Sequence, residues 1–188
     1  IRTQIMETLA HDGNGNVTSQ EINLYEDPDT TKLIETQIVT NTYLAGLLKA
    51  NGIAYETTTE FHRSNGVTFV PAEKNVRKLI QQPDGRYVLE DFLVPLSEQN
   101  VHWVYEGNGW IEESKSHISF DYASEEAKAL NRPDHQYTTT WLYMGGAYVL
   151  KDRTRSENRT YRLTGELLTE KRTRDVYLGA DNEGLDPT

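Results

Sequence analysis

Apolar residues recur at helical spacing over the first 52 residues, and at strand spacing after that. Ile5, Met6 and Leu9, then Ile22 and Tyr25, predict two short helices over 2–9 and 19–26, the second stopped by Asp27-Pro28-Asp29. Leu33, Ile34, Ile38, Val39, Leu44, Leu47 and Leu48 form the stripe of a longer helix over 31–50, which Asn51-Gly52 ends. From Ile53 the pattern becomes extended. Strands over 53–61 and 67–70 flank the hairpin signal Asn65-Gly66, and a two-turn helix after Pro71 buries Val76, Leu79 and Ile80. Pro83-Asp84-Gly85 turns the chain into a strand over 86–94.

The last third reads as the richest in strands. Segments 101–106 and 110–122 are joined at Gly107-Asn108-Gly109, with Asn108-Gly109 expected at the centre of the turn. A short helix over 123–130 is closed by Asn131-Arg132-Pro133, and three strands follow over 136–151, 159–170 and 173–178, with Gly145-Gly146 as a bend or bulge in the first. The predicted fold class is α+β: N-terminal helices packed with a mainly antiparallel sheet, in one domain over 1–188. Within it, 1–52 is the helical part and 53–188 the β-rich part.

One stretch carries candidate chemistry. In Ala10–Glu21, AHDGNGNVTSQE, Glu21 stands at position twelve of a calcium loop when Asp12 is at three, Asn14 at five, Gly15 at six, Asn16 at seven and Thr18 at nine. This resembles the EF-hand family over residues 1–27. The resemblance implies a Ca²⁺ site made by Asp12, Asn14, Asn16, Thr18 and Glu21. Ala10 stands where the family has an Asp, so one carboxylate is missing and the implied affinity is weak, on the order of 10⁻⁴–10⁻³ M. The same residues are also strong turn formers, and Thr18 or Ser19 is a suitable cap. Residues 80–91 echo the loop with Gly85, Tyr87 and Asp91 in the corresponding places, but Ile80 and Gln82 cannot supply carboxylates, so a helix–turn–strand junction is expected there.

Charge narrows the function. With 29 acidic and 19 basic residues the formal net charge is −10, which argues against general binding to nucleic acid or to anionic membranes. The basic residues are concentrated: Lys151, Arg153, Arg155, Arg159, Arg162, Lys171, Arg172 and Arg174 face only four acids over 151–174, a local excess of +4. Such polarity suits copies meeting head to tail; residues 151–159 also read as a solvated loop whose bases guard strand edges, or as part of a polyanion site. Without cysteine there is neither a disulfide framework nor a thiolate metal site, and no apolar run is long enough to span a membrane.

Catalytic motifs are absent from the sequence, and His11, His62, His102, His117 and His135 lack ligand spacing. Three readings follow. The first is a non-enzymatic structural or interaction protein that joins copies of itself or other subunits in an extracellular or virion particle, with calcium as a stiffener at one end; low mean hydropathy (−0.69) and the charge polarity motivate it. The second is a glycan- or ligand-binding module with an aromatic sheet carrying Trp103, Trp110 and Trp141. The third is an acid–base hydrolase using His102, Glu112 or Glu113.

Overall fold

The structure, a computed structural model, describes residues 2–177. Strands β1 (Thr3–His11), β2 (Val17–Tyr25) and β3 (Leu33–Thr42) are followed by helix α1 (Leu47–Ala50), β4 (Glu56–Ser64) and β5 (Phe69–Leu79). A small hairpin of β6 (Val88–Leu89) and β7 (Val94–Pro95) precedes the long strands β8 (Ser97–Glu106) and β9 (Gly109–Asp121). Helix α2 (Glu125–Ala129) then leads into β10 (His135–Met144), β11 (Ala147–Tyr161) and β12 (Leu167–Val176). Among the described residues ten strands hydrogen-bond in chain order, β1 to β5 and then β8 to β12, while β6 and β7 pair with each other in a second, two-stranded sheet.

This overturns the expected α+β class and the helix–loop–helix around the opening loop. Residues 2–9 and 19–26 are the strands of an antiparallel hairpin, 31–50 is β3 followed by a single helical turn, and the segment after Pro71 continues β5. The physical reason lies in the rows across the sheet. Met6, Ile22, Gln37, Phe61 and Glu73 lie side by side in one row, and Ile5, Asn23, Thr36 and His62 in the next, which faces the other way. Both faces mix apolar and polar groups. A sheet wetted on both faces shows no clean period of two, and its apolar residues fall into helical spacing by coincidence. The β-branched content of Leu33–Thr42 (Ile34, Thr36, Ile38, Val39, Thr40, Thr42) then decides for strand.

Turn chemistry accounts for the echo between the opening loop and residues 80–91. Gly15 donates to the carbonyl of Asp12 (3.0 Å) and Asp12 to that of Asn16 (2.9 Å); Gly85 and Gln82 repeat the pattern with Gln82 and Arg86, and Gly165 and Arg162 with Arg162 and Glu166. Each is a three-residue turn whose last residue is a left-handed glycine, φ 84, 86 and 92°. Gly145-Gly146 is likewise a two-residue hairpin turn, with φ 61 and 88°, so the strand expected over 136–151 is two strands. Residues 151–159 lie within β11 and not in a loop. The turn after β8 is centred on Gly107-Asn108, one residue earlier than expected, which brings Tyr105 beside Trp110 with ring centroids 5.2 Å apart. The hairpin at Asn65-Gly66 and a short helix within 123–130 follow the sequence expectation; that helix is capped by Ser124, whose hydroxyl accepts from the Ala127 amide (3.0 Å). Leu178, the end of the last expected strand, lies outside the described residues.

Two compact units divide the chain. One comprises residues up to Lys78 together with His102–Glu112, the other Leu79–Val101 and the residues from Glu113 onward. The first has a single buried apolar side chain among the described residues, Leu48; its strands are held by side-chain ladders such as Glu35–Arg63–Glu73 (3.0 and 2.6 Å) and Thr36–Asn23–Glu21 (2.7 and 2.7 Å). The second holds a small core of Leu79, Val88, Val94, Trp141 and Leu150. Its inserted hairpin is tied to β9 by the Phe120 amide on the Leu96 carbonyl (3.1 Å) and by the Tyr122 hydroxyl on the Pro95 carbonyl (3.3 Å). Burial, with Tyr161 and Glu98 nearby, pushes the Tyr122 phenol up to about 12.

Candidate functional site

The five residues of the implied calcium site divide into two groups. Asp12, Asn14 and Asn16 meet in the turn between β1 and β2. Thr18 and Glu21 lie along β2, Glu21 ~10 Å beyond Thr18 at the rise of an extended strand. The Asp12 carboxylate serves the turn itself: Oδ1 accepts from the amides of Asn14 (2.8 Å) and Asn16 (2.9 Å), and Oδ2 from the Asn16 side chain (3.1 Å). The Glu21 carboxylate accepts from Asn23 Nδ2 at 2.7 Å. Among the described residues, no group of three or more His, Asp or Glu side chains is placed to hold a metal ion.

The turn has a structural partner in the segment that carries α1. Asn16 Nδ2 donates to the Lys49 carbonyl (2.9 Å), Lys49 Nζ lies 3.6 Å from Asp12 Oδ2, and Asn41 and Tyr43 both donate to the Val17 carbonyl (3.0 and 2.9 Å). Leu48 of that segment is buried. Gly52, at φ 67°, sits so close that a Cβ there would lie 3.2 Å from Asn16 Oδ1. Burial pushes the Asp12 carboxyl up, but the amides of Asn16 and Asn14 and the Lys49 ammonium outweigh it and hold the group below the usual range. Its contribution is therefore present above the unfolded value near 3.8 and lost as pH falls through the lower folded value. Asp12→Ala is expected to lower the urea midpoint equally with calcium and with chelator. A loss seen only with calcium would show that the carboxylate acts through the metal.

The outer strand β1 combines an unpaired edge with exposed apolar side chains. Among the described residues it has a strand on one side only, and Ile5, Met6 and Leu9 are 45%, 57% and 52% exposed. Glu7 stands directly opposite Glu21, and among the described residues no cation pairs with either carboxylate. Like charges directly opposed across a sheet are unfavourable. The outer strand at the other end of the order, β12, is basic, with Lys171, Arg172 and Arg174, and exposes Leu168 and Val176.

The residues named for hydrolysis and for aromatic binding are placed as follows. His102 Nδ1–H donates to Asn75 Oδ1 (2.7 Å), and Glu112 and Glu113, adjacent on β9, point to opposite faces. Trp103 and Trp110 share one ammonium, that of Lys74, 5.0 and 4.5 Å from their ring centres; Lys115 lies 5.9 Å from Trp141 and 3.9 Å from Tyr148. One face of each tryptophan is thus occupied by the chain's own lysine. Sequence reasoning did not find these lysines, because their pairing depends on strand register and no motif announces it.

His117 on β9 is half-buried, with Nε2 lacking a hydrogen-bond partner among the described residues, and desolvation holds its pKa below the usual value. As pH falls from the unfolded value near 6.5, the unfolded chain takes up a proton that the folded chain resists, so stability falls. His117→Gln is expected to flatten this slope between pH 7 and pH 5 in denaturation curves. An unchanged slope would show that other groups set it.

No protein-family model matches the chain, and no curated protein matches it. Among solved structures, the crystal structure of a protein with unknown function from Bacteroides fragilis aligns over 81% of this chain and 91% of that one, at 11% identity and a TM-score of 0.45. Among the described residues no helix is long and apolar enough to cross a membrane.

Proposed function

We propose that the chain is a non-enzymatic structural protein that assembles with copies of itself, the outer strand β1 of one copy adding to the outer strand β12 of the next. The observation that carries this reading is the uncompensated Glu7–Glu21 opposition on an outer strand whose Ile5, Met6 and Leu9 are exposed. Natural outer strands are normally blunted by lysine, proline or strong bulging. β1 carries Glu7 as its only residue charged at neutral pH and bulges only near its end, between Thr8 and His11. An incoming strand bearing Lys or Arg supplies the missing countercharge, covers the apolar side chains and completes the backbone ladder, and β12 bears Lys171, Arg172 and Arg174. Pairing of two unlike edges leaves one of each kind free, so copies add in rows.

Sedimentation velocity over rising protein concentration tests this. Association is expected, stronger at low salt because the charges involved are exposed. Glu7→Lys and Met6→Lys are each expected to need at least about tenfold more protein for the same association, which corresponds to ~1.4 kcal/mol. A protein that stays monomeric throughout, or a Glu7→Lys variant that associates like the parent, would refute the reading.

A further inference from the structure

One face of β10, β11 and β12 forms a groove of about 430 Å³ that includes Lys151, Arg172 and Arg174 together with Thr138, Thr154 and Ser156. The register explains its chemistry. Thr138, Thr154 and Arg174 form one row across the three strands, and Gln136, Ser156 and Arg172 form the next row on the same face. Neighbours within a row are ~5 Å apart and the two rows ~7 Å apart. The guanidinium-bearing residues of β12 therefore border the hydroxyl-bearing residues of β10 and β11 over a patch about 10 Å across.

The cations are held in place and incompletely neutralised. Asp152, only 5% exposed, accepts from Arg174 Nη2 at 2.6 Å and fixes that guanidinium at the groove, leaving its remaining N–H donors for other partners. Arg172 pairs with Glu170 at its side. Among the described residues no carboxylate pairs with the Lys151 ammonium. Asp152 is the one carboxylate in the lining, against three cations. The opposite side of the same strands differs: its cavity of about 390 Å³ includes two carboxylates, Glu157 and Asp175, and the first already binds Arg155 (2.8 Å) and Lys171 (3.0 Å).

We propose that the groove on the Arg172 face binds a single phosphate or sulfate group, either as the free ion or as an ester on a small polyol. Guanidinium forks match the oxygens of a tetrahedral oxyanion, and the hydroxyls of Thr138, Thr154 and Ser156 donate to the remaining oxygens or to a polyol. No aromatic ring lines the groove, so stacking on a nucleobase has no platform there. A net charge of −10 also repels a long polyanion while leaving a local site for a small one.

The test is a titration of the full chain, followed by amide NMR, with inorganic phosphate, inorganic sulfate, glucose 6-phosphate and glucose. Saturable shifts at Thr138, Thr154, Ser156 and Arg172 are expected with the first three and none with glucose. Tighter binding of the sugar phosphate identifies an ester as the ligand, and equal binding identifies the free ion; both outcomes support the site. Arg172→Gln and Lys151→Gln, each retaining a folded spectrum, are expected to weaken binding by about tenfold, as loss of a charge-assisted contact does. Arg155→Gln, on the opposite face, is expected to leave it unchanged. The Glu7→Lys variant is expected to bind as the parent does, so failure of the assembly reading leaves this site standing. Absence of a saturable shift, equal shifts with glucose, or equal weakening by Arg155→Gln and Arg172→Gln would overturn the proposal, as would loss of binding in Glu7→Lys.

Discussion

Leu150→Ala is expected to lower the unfolding free energy by about 3 kcal/mol, within the range for truncating a buried leucine. Leu150 is 2% exposed and lies opposite Trp141, itself 8% exposed, on the neighbouring strand. Among the described residues the buried apolar side chains of this unit are few, so few neighbours can move in to fill the void left by the missing methyl groups. The control is Leu168→Ala on β12, where the side chain is 52% exposed and the expected change is within about 0.5 kcal/mol. Urea denaturation followed by tryptophan fluorescence measures both. A loss below about 1 kcal/mol for Leu150→Ala would mean that the core relaxes freely, and that cross-strand polar contacts dominate in this unit as they do in the other.

The weight of those polar contacts also explains what the sequence did and did not disclose. Turns were readable because they depend on a few adjacent residues. Asn65-Gly66 and the glycines around Asn108 mark real turns. The helix expectation over the first 50 residues failed because strand and helix differ there only in which residues face a core, and these strands have none to face. Ile5, Met6 and Leu9 fit a helical stripe, yet Ile5 and Met6 occupy opposite faces of an outer strand. The opening loop was half readable. Asp12, Asn14, Gly15 and Asn16 are the turn formers their identities suggest, whereas the helical flanks that would make the loop an EF-hand are strands. The Glu7–Glu21 opposition and the Arg172–Arg174 groove were invisible because each depends on which strand lies beside which, and pairing 14 residues apart follows from turn length and register alone. The excess of positive charge over 151–174 was visible as composition. Its division between two faces of one strand pair, one richer in acids than the other, was not.

That division makes the Asp152–Arg174 pair the second place where a large effect is expected. The Asp152 side chain is 7% exposed and that of Arg174 is 52% exposed, with 2.6 Å between the bonded atoms. Arg174→Ala removes the cation that, among the described residues, pairs with the buried Asp152 carboxylate, and breaking such a pair costs about 3–5 kcal/mol when both partners are buried. Water reaches the Arg174 side, so about 2–3 kcal/mol is expected here. Asp152→Asn keeps the shape and removes the charge, and is expected to lose less. In the Asp152→Asn background, Arg174→Ala is expected to cost under about 1 kcal/mol, because the stranded charge is gone. The difference between the two backgrounds is the quantity that decides. A coupling near zero would make the pair an ordinary surface contact and remove the reason for regarding Arg174 as held over the groove. A coupling of about 2 kcal/mol would show that the buried carboxylate fixes the guanidinium before any ligand arrives, so that an incoming oxyanion meets donors already in position.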